Sequence, residues 1–369
     1  MNKNIYYITY QDFPAITANS SQTIATCKYF KRNGYNTTLF FPLRSNHSDD
    51  NPERIKSYYE IDGEMFDIQG INHTFKFQKY NFFKKIHYIL GHIRWSYQAI
   101  KFVYTNYEPP KLFFTRSDWV FYFLSNKKVD VIYECHQVTK LRKKLINISL
   151  KNENSKVIFL NKQIYDEANV KKQFINQTYI INNGYDSDFF FHKNINQKNS
   201  VIFSGNLIRL GKTRNIEFIL ESFQDPRLSE FKLKIIGGDK EISDIYKNKY
   251  SNINNVEFIK HQPKKILSKY LNEADIALMV NSSNKHSLLF TDPLKFYEYL
   301  ACKLKVVAVD FPSHRALEKY KNIYFFENDN KNEFIEQLLK VSNLNFIENS
   351  DVPPMSIDSR IKKIITELI

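Results

Sequence analysis

A chain of 369 residues exceeds what one hydrophobic core usually organises, so we expect two domains, and its 43% apolar share suffices for two cores. The formal net charge of +14 favours anionic partners such as nucleotides, nucleic acid or an acidic membrane surface. Three scattered Cys exclude a disulfide framework and a zinc pattern. The sequence shows neither a signal-peptide pattern nor a run of about 18 apolar residues, so we expect a cytoplasmic protein that does not span a bilayer.

The chain opens with a βαβ pattern. Asn4 to Tyr10 is predicted as a strand, a polar loop and a helix through about Lys31 follow, and Thr37 to Phe41 is predicted as the second strand. The loop, QDFPAITANSSQ, follows the carboxyl end of a parallel strand, where ligands of such sheets lie. It has no glycine-rich fingerprint, so a dinucleotide cofactor is not indicated.

Residues Phe75 to Tyr107 are predicted as one or two helices in which basic residues alternate with aromatic ones, Trp95 among them. Such a segment would suit a helix at an anionic membrane interface, with Lys side chains reaching the lipid phosphates. A buried amphipathic helix with a solvated basic face is the alternative, and the composition of the segment favours it slightly. Nucleic acid is a third, but no recognisable binding module surrounds the segment, and nucleic acid is not among the expected partners.

Strands and helices then alternate from KLFFTR through VDVIYECH and KVIFLN to TYIINNG, which predicts a parallel, doubly wound sheet. Glu134 and His136 lie at the carboxyl end of VDVIYECH, where side chains face a ligand crevice. His136 is therefore a candidate for contact with substrate phosphate or hydroxyl groups. A lone histidine is more often structural, and that alternative stays open at this point.

A polar, turn-rich stretch separates this series from a second one. Residues 1–185 are predicted as a Rossmann-like domain, 186–199 as the linker and 200–350 as a second Rossmann-like domain that contains VIFSGN, KLKIIGG, NVEFIK, ADIALMV, KVVAVD and IYFF. Residues 351–369 are predicted as a helix that packs back towards the first domain. The facing carboxyl edges of the two sheets would form a cleft for a ligand.

The stretch TDPLKFYEYLACKLKVVAVD, Thr291 to Asp310, predicts a phosphate site. Asp292 and Pro293 are typical of a helix N-cap and first position, so a helix is expected to start at one of them. A buried strand, KVVAVD, follows the helix. The start of a helix beside the carboxyl end of a parallel strand favours phosphate binding. Glu298, one turn inside the helix, would accept hydrogen bonds from a ribose; a solvated surface Glu is the alternative.

These segments together resemble the family-4 retaining glycosyltransferases of GT-B fold, also described as glycosyl transferases group 1. VIYECHQ is similar to the family's Glu-x-His after a strand, and NNGYDSDFF to its hinge segment. VIFSGN with its basic loop, KLKIIGG, NVEFIKHQP, ADIALMV and DPLKFYEYLACKLKVVAVDFP follow in the family's order. The resemblance implies an α/β fold with two doubly wound Rossmann-like domains, and the transfer of a sugar from a nucleotide-diphosphate donor to an acceptor hydroxyl.

The resemblance also implies a donor site. Glu298 resembles the second Glu of the family's Glu-x7-Glu element, which holds the ribose, and the helix start would meet the diphosphate. The sequence departs from the family pattern at two positions: Phe290 stands where the first Glu, which touches the donor sugar in many members, is found, and Asn206 stands at the usual Arg position. The implied donor-binding residues are Thr291, Asp292, Pro293, Leu294, Lys295, Glu298, Gly205, Asn206 and Lys212.

Three residues are the implied catalytic candidates. Arg209 and Arg214 lie in the basic loop after VIFSGN and would offset the charge of the departing diphosphate, and His136 would contact the donor. A solvated basic loop is the bland alternative. Asn19 and Ser20, in the first loop of the chain, are the candidate residues for binding the acceptor.

In the family, transfer proceeds with retention and needs no dedicated nucleophile, so electrostatic stabilisation of the leaving group would dominate. We expect neither a cofactor nor a metal, because no carboxylate pair with coordinating geometry stands out. The expected partners are a nucleotide-sugar donor, a glycan or lipid-linked acceptor and an anionic membrane surface, on whose cytoplasmic side the protein would be peripheral. A noncatalytic nucleotide-sugar or glycan-binding protein of the same fold is the alternative function.

Overall fold

The computed structural model describes residues 3–73, 84–209, 212–238, 240–349 and 351–369. The chain divides into two compact units: Met1–Asn182 together with Ile357–Ile369, and Asn183–Ser356. The first unit is therefore assembled from two separate stretches of the chain, whereas the second is one continuous stretch.

The first unit is built on a parallel sheet that has seven strands in the described part of the chain, in the order β3-β2-β1-β4-β5-β6-β7. The order reverses between β1 and β4, which is the switch point where ligands of doubly wound sheets lie. The strands are β1 (Asn4–Ile8), β2 (Asn36–Leu43), β3 (Asp67–Asn72), β4 (Leu112–Thr115), β5 (Val131–Cys135), β6 (Ser155–Phe159) and β7 (Thr178–Ile180). The helices that follow or precede them are α1 (Ala18–Arg32), α2 (Pro52–Tyr58), α3 (Lys84–Asn106), α4 (Asp118–Ser125), α5 (Lys140–Ser149) and α6 (Lys162–Ala168).

The second unit repeats this architecture, with a six-stranded parallel sheet among the described residues in the order β12-β11-β8-β13-β14-β15 and a separate two-stranded ribbon. The strands are β8 (Ser200–Ser204), the ribbon strands β9 (Ile208–Arg209) and β10 (Lys212–Thr213), β11 (Lys232–Ile236), β12 (Val256–Ile259), β13 (Ile276–Met279), β14 (Lys305–Val309) and β15 (Ile323–Phe326). The helices are α7 (Ile216–Ser222), α8 (Lys240–Lys249), α9 (Lys264–Glu273), α10 (Lys285–Leu289), α11 (Leu294–Ala301), α12 (Pro312–Arg315) and α13 (Lys331–Ser342).

Several inner strands of both sheets are buried along their whole length. β5 of the first unit and β8 and β14 of the second have no exposed position. Helices on both faces of a parallel sheet require apolar side chains on both faces of each strand, which is why these strands read as continuous apolar runs rather than alternating patterns.

The last helix, α14 (Ile357–Leu368), belongs to the first unit. Its apolar residues Ile361 and Ile364 are fully buried, and Asp358 accepts a hydrogen bond from the Asn33 side chain that follows α1, with 3.0 Å between Nδ2 and Oδ1. Lys156 of β6 donates to the Leu368 carbonyl at 2.6 Å. The last helix is thus fixed to the end of α1 and to β6 of the first sheet.

Residues 186–199, predicted as a linker, lie inside the second unit. Phe189 and Phe190 are buried against its core, and the Lys193 amide donates to the Asn272 side chain at 2.7 Å. The boundaries of the units fall instead after Asn182 and Ser356. Because most residues of the stretch are polar, its sequence does not indicate that Phe189 and Phe190 pack into the core of the second unit.

The sequence did not predict β3 or the ribbon of β9 and β10. β3 reads DIQGIN, with only two large apolar residues, so its pattern is too weak to recognise, and it lies at the edge of the sheet. The predicted helix Phe75–Tyr107 appears as α3 from Lys84 onward, and its first residues lie outside those that the structure describes. None of the described helices has the length and apolar content needed to cross a membrane.

Two glycines allow β8 and β11 to end in close contact. Gly205 and Gly237 follow these neighbouring strands, and both have positive φ, +127° and +123°. A Cβ on Gly237 would collide with the carbonyl oxygen of Gly205 and would lie 2.8 Å from its carbonyl carbon. The loop after β8, which is the candidate diphosphate loop, can take this position only because Gly237 has no side chain.

Gly237→Ala should therefore destabilise the protein strongly. We expect a loss of about 3 kcal/mol in the free energy of unfolding, because the backbone of the neighbouring loop must move and the positive φ becomes strained. Gly63→Ala is the control, since φ there is +86° but a Cβ would meet nothing within 4 Å, so only the backbone strain of about 1 kcal/mol remains. Urea denaturation of both variants measures the difference, and equal losses would contradict the steric explanation.

Candidate active site

In the second unit, the candidate site starts at the loop between β8 and α7. Arg214 lies beside Gly205, where a built Cβ would stand 3.2 Å from Nη1, and its amide donates to the Leu207 carbonyl at 2.9 Å. The backbones of Arg209 and Lys212 pair in the ribbon, but their side chains lie outside the described part of the structure. Of the three basic residues predicted in this loop, Arg214 is thus the one with a described side-chain position, at the carboxyl end of β8.

Asn206, predicted as a donor contact, follows Gly205 and is exposed. It stands where the family resemblance expects an arginine, so a neutral amide takes that place. Arg214 brings a guanidinium to the same loop from eight residues further along. The loop therefore keeps a described cation next to the end of β8 although the usual position has none.

Helix α11 starts one or two residues later than predicted. Pro293 is its N-cap and no side chain caps it, whereas Asp292 was expected as a capping residue. The Asp292 carboxylate is used elsewhere, because Oδ2 accepts from the Asn183 amide at 2.5 Å and Oδ1 accepts from the Tyr297 hydroxyl at 2.7 Å. The start of the helix is thus left without a side-chain cap, as an anion-binding helix terminus requires.

Thr291 also has a structural contact. Its side chain is buried and its hydroxyl donates to the His286 carbonyl at 3.1 Å. Within the predicted donor segment, Pro293 and Leu294 are half-buried at the helix start. The segment can therefore offer backbone amides to a phosphate, but not the side chains of Thr291 and Asp292.

Lys295, in the first turn of α11, extends to β8. Its ammonium lies 3.4 Å from the Ser204 carbonyl oxygen and 4.4 Å from the centre of the Phe203 ring. The structure thus brings the predicted residue Lys295 next to the loop that contains Gly205. A helix terminus, Lys295 and Arg214 form a positively charged carboxyl edge in the second unit.

Glu298 lies one turn further into α11 and is partly buried. Its carboxyl makes no hydrogen bond and no ion pair with any residue in the described ranges. Burial raises its pKa to about 7; Lys264 and Lys295 act in the opposite direction, and Asp186 raises it further. A carboxyl that is desolvated without a partner is disposed to accept hydrogen bonds from a ligand hydroxyl.

Phe290 occupies the position that the first Glu has in the family pattern. It is 7% exposed, its amide donates to the His286 carbonyl at 2.9 Å, and its ring packs edge-on against the His286 ring. The side chain therefore belongs to the interior of the second unit and brings no carboxylate to the site.

In the first unit, His136 belongs to a buried ionic network. Its Nε2 lies 2.5 Å from Glu134 Oε1, and Arg116 Nη2, which contacts both ring nitrogens, is 2.8 Å from Nδ1. Glu134 Oε2 accepts a hydrogen bond from Arg360 Nη2 of helix α14 at 2.6 Å. Glu134 and Arg360 are each 1% exposed, whereas the His136 side chain is 29% exposed.

The electrostatics of this network keep Glu134 charged and His136 neutral. Burial by itself would raise the pKa of the Glu134 carboxyl, but Arg360 and Arg116 hold it well below its usual range. Burial lowers the pKa of His136 to about 4; Arg116 lowers it further and Glu134 opposes the change. A neutral imidazole has one N–H and one acceptor nitrogen, so Nε2–H donates to Glu134 and Nδ1 accepts from Arg116.

Arg116 also connects the network to the first loop of the chain. Its Nη1 donates to the Asn19 carbonyl at 3.1 Å, and its Nη2 donates to the Gln22 side chain at 3.0 Å. The structure therefore brings Asn19 and His136 together around one guanidinium. The Asn19 side chain is exposed, as an acceptor-binding residue would be.

Ser20, the other predicted acceptor residue, is a capping residue of α1. Its amide donates to Thr17 Oγ1 at 3.1 Å, and its hydroxyl lies 2.8 Å from the Thr17 carbonyl and also contacts the Ala15 carbonyl. The side chain is fully buried. This capping box occupies the Ser20 hydroxyl, so it is not presented to an acceptor.

Sequence reasoning did not identify Arg116 and Arg360. Arg116 follows β4 directly, and β4 and β5 are neighbours whose carboxyl ends meet, so the KLFFTR strand did contain a usable signal. The sequence offered no such signal for Arg360, because this residue lies 226 residues from Glu134 along the chain. Within the described ranges, no group of three His, Cys, Asp or Glu side chains is placed to hold a metal ion, and metal independence stays a prediction.

Residues 198–343 match the family model described as "Glycosyl transferases group 1". Sucrose-phosphate synthase from Thermosynechococcus elongatus has a similar structure, with a TM-score of 0.67 and 14% identity over 99% of this chain and 94% of that one. HepE of Anabaena, solved with UDP and glucose, gives a TM-score of 0.60 and 11% identity over 100% of this chain and 97% of that one. The lipopolysaccharide outer core galactosyltransferase WaaB gives a TM-score of 0.62 and 11% sequence identity over 99% of each chain.

No curated protein sequence matches the chain. The fold of the whole chain is nevertheless the GT-B fold, since two doubly wound parallel sheets match solved glycosyltransferases over nearly their full length. The family model matches residues 198–343 of the 369, all of them within the second unit. The predicted fold and the predicted resemblance to group 1 glycosyltransferases are thereby confirmed.

Glu298→Gln should remove a pH-dependent loss of stability. The pKa of about 7 in the folded protein exceeds the ordinary value of 4.5, so the folded state binds this proton more tightly than the unfolded chain. The resulting stabilisation is fully present below the unfolded pKa and is lost as pH rises through the folded one. The unfolding free energy of the variant minus that of wild type should therefore increase by about 2 kcal/mol as the pH is raised from about 5 to about 8.

Urea denaturation at the two pH values measures this gain, and Glu336→Gln, an exposed glutamate on α13, is the matched control. Parallel pH profiles for wild type and Glu298→Gln would contradict the raised pKa.

Proposed function

We propose that the protein is a retaining glycosyltransferase of hexosyltransferase type. It moves a sugar from a nucleotide-diphosphate donor to a hydroxyl of a glycan, glycolipid or lipid-linked acceptor, in the cytoplasmic synthesis of a surface polysaccharide or glycoconjugate. The observation that supports this best is Glu298, a carboxyl without a hydrogen bond among the described residues, one turn inside the uncapped helix α11 of the family-matched domain.

Each part of a donor has a counterpart at this edge. Amides at the start of α11 would bind the diphosphate, with Lys295 and Arg214 supplying positive charge. Glu298 would accept hydrogen bonds from the ribose hydroxyls. Arg209 and Lys212, paired in the ribbon after β8, are proposed as further cations for the phosphates.

Transfer needs no nucleophile from the protein. The bond between the sugar anomeric carbon and the β-phosphate oxygen breaks, and the acceptor oxygen bonds to the same face of that carbon. The acceptor proton passes to an oxygen of the leaving diphosphate. The helix terminus and the cations then stabilise the charge that develops on the diphosphate, which is where most of the rate enhancement would arise.

His136 and Asn19 are the proposed contributions of the first unit. Because Glu134 and Arg116 hold both ring nitrogens, His136 would face the donor sugar with the exposed part of its ring. Asn19 would contact the acceptor from the start of α1. UDP is the first nucleotide to test, because HepE was solved with UDP and glucose.

A noncatalytic nucleotide-sugar or glycan-binding protein is the second candidate function. It is favoured by Phe290, which is buried where a donor-contacting Glu is found in the family pattern, and by Asn206, which replaces an arginine. Such a protein would keep the ribose and diphosphate contacts and lose turnover.

Donor binding and turnover separate the two functions. With a panel of UDP-, GDP- and ADP-sugars, we expect hydrolysis or transfer with at least one donor. Glu298→Ala should weaken binding of the matching nucleoside diphosphate about tenfold or more, because the hydrogen bonds from the ribose hydroxyls to the carboxyl are lost. Arg209→Ala should lower turnover. Glu336→Ala is the control for removing a glutamate from a helix of the same unit. Tight nucleotide binding without turnover of any donor would favour the noncatalytic protein.

We further propose that the protein works at an anionic membrane surface and docks through α3. Five large side chains are exposed on this helix, and four of them follow one another at spacings of four, seven and seven residues: Ile86 (55%), Leu90 (50%), Tyr97 (60%) and Tyr104 (40%); Tyr88 (42%) lies on another face. At about 100° per residue these four share a sector of roughly 40° over about 27 Å. Arg94 and Lys101 are exposed beside them, so an apolar stripe is flanked by cations, as in interfacial helices.

The triple variant Ile86→Gln, Leu90→Gln, Tyr97→Gln should lose binding to membranes. In sedimentation with phosphatidylglycerol vesicles at low salt, we expect the bound fraction to correspond to an affinity about tenfold or more below wild type, since three partly inserted side chains no longer leave water. Ile245→Gln, on α8 of the second unit with 58% exposure, is the matched control. The membrane proposal fails if wild type remains in the supernatant or if the control behaves as the triple variant does.

A further inference from the structure

Three neighbouring strands of the first sheet bring polar and aromatic side chains to one place at their carboxyl ends. Tyr10 follows β1, Arg44 follows β2 and His73 follows β3. These strands are adjacent in the sheet, and side chains at this edge of a doubly wound sheet face the ligand crevice. We call the following residues the Tyr10 cluster: Tyr10, Asp12, Arg44, His73, Tyr88 and His92.

Tyr10 is the centre of this cluster. Its ring stacks on the His92 ring of α3, with 4.2 Å between the ring centres and 10° between the planes, and its hydroxyl oxygen lies 2.8 Å from His73 Nε2. The Arg44 guanidinium lies 4.7 Å from the centre of the Tyr10 ring. Because Tyr10 itself is buried, it positions its neighbours and leaves contact with a ligand to them.

Helix α3 comes close to Tyr10 because Gly91 has no side chain. A Cβ on Gly91 would lie 3.2 Å from the Tyr10 hydroxyl oxygen and 3.4 Å from His73 Cε1, which is tighter than most Cβ contacts in proteins. A glycine inside a helix costs about 1 kcal/mol relative to alanine. The close approach of α3 to the cluster is therefore kept at a cost in helix stability.

Tyr88 is the exposed ring of the cluster. It lies on α3 three residues before Gly91, and its ring packs edge-on against the Tyr10 ring, with 5.5 Å between the centres. The Arg44 guanidinium lies 5.9 Å from the centre of the Tyr88 ring. An aromatic ring that is held by its neighbours offers a flat apolar face to a ligand and loses little conformational entropy on binding.

An ion pair completes the accessible part of the cluster. Arg44 Nε contacts Asp12 Oδ1, and both side chains are partly exposed. Their opposite charges cancel. Burial lowers the pKa of His92 to about 4, although Asp118 opposes the change, so His92 is uncharged at neutral pH. Arg44 thus brings N–H donors and Asp12 brings acceptor oxygens, without a net charge from the pair.

The cluster adjoins the part of the first unit that is proposed to bind the acceptor. Gln11, in the loop after β1, donates to Thr17 Oγ1 at 2.8 Å, and Thr17 is the N-cap of α1, two residues before Asn19. On the other side, His92 Nε2 lies 2.7 Å from the hydroxyl oxygen of Ser117, which directly follows the arginine of the buried ionic network. The Tyr10 cluster is therefore continuous with both elements.

We propose that the Tyr10 cluster binds a sugar residue of the acceptor. The hydroxyls of a sugar both donate and accept hydrogen bonds, which Arg44 and Asp12 can satisfy together, and the C–H face of the sugar ring packs on an aromatic ring such as Tyr88. A phosphate would be attracted by Arg44 and repelled by Asp12, so it would gain little here. That the bound saccharide is the acceptor rests on the function proposed above.

Saturation-transfer NMR on the full chain tests the site. The probes are the methyl glycosides of glucose, galactose, mannose and N-acetylglucosamine, with glycerol 3-phosphate as the anionic probe. We expect at least one glycoside to bind more tightly than glycerol 3-phosphate, and Tyr88→Ala to weaken its binding about fivefold or more, because the aromatic face is lost. Tyr104→Ala removes a similarly exposed tyrosine of the same helix and should stay within about twofold of wild type.

Three results would overturn the proposal. They are a wild type that binds none of the glycosides, a wild type that prefers glycerol 3-phosphate, and equal losses in Tyr88→Ala and Tyr104→Ala.

Asp12→Asn tests the charge balance of the site. The variant keeps the shape of the side chain and removes the charge that offsets Arg44. We expect glycerol 3-phosphate to bind about threefold or more tightly to it than to wild type, and the glycoside to bind more weakly. Asp225→Asn, which removes the carboxylate from an Arg–Asp pair of the second unit, is the matched control and should change neither affinity. An unchanged preference in Asp12→Asn would also overturn the proposal.

Nucleotide binding separates this proposal from the proposed function. If wild type binds a glycoside through Tyr88 but none of UDP, GDP and ADP, the donor site in the second unit is refuted and the saccharide site stands. If wild type binds UDP and none of the glycosides, the donor site stands and the saccharide site is refuted.

Discussion

The ion pair between Glu134 and Arg360 is the contact on which the first unit depends. It joins the end of a central strand to a helix that the sequence places beyond the whole second unit, and both partners are removed from water. Breaking a buried pair of this kind by removing one partner costs about 3–5 kcal/mol, although an apolar replacement of both can be neutral. The pair is therefore better explained by orientation than by stability, since it also fixes His136 and the Asn182 carbonyl.

The candidate donor edge of the second unit shows the opposite electrostatic arrangement. Glu298 is desolvated without a hydrogen bond inside the described part of the chain, and the start of α11 has no side-chain cap. Each feature costs stability in the absence of a ligand. A ligand that supplies hydroxyl donors to one and an anion to the other would recover both costs on binding. In the first unit the buried Glu134 carboxylate is paired with Arg116 and Arg360, whereas in the second unit Glu298 is available to a ligand.

The fold could be read from the sequence where burial dictated an unambiguous pattern. Strands such as VIYEC and KVVAV are apolar on both faces, and their alternation with helices predicts the doubly wound sheets. β3 escaped prediction because an edge strand needs few apolar residues. The stretch 186–199 was misread because two buried phenylalanines stand among many polar residues that resemble a linker.

The site was less predictable than the fold, because short-range rules compete with one another. Asp292 before Pro293 has the chemistry of a cap, yet the Asn183 amide and the Tyr297 hydroxyl attract its carboxylate. Ser20 looks like a loop residue open to an acceptor, yet it completes the capping box of α1. Arg360 could not be found from local pattern at all, since nothing near Glu134 in the sequence indicates where its partner lies.

The discontinuity of the first unit has a consequence for synthesis on the ribosome. Glu134 emerges early, and its partner Arg360 follows 226 residues later, after every residue of the second unit. The continuous second unit can complete its sheet as soon as it leaves the exit tunnel. The first unit has all its strands by then but lacks the cation that belongs among them. The first unit can therefore complete its fold only after the second unit has been synthesised, when α14 becomes available.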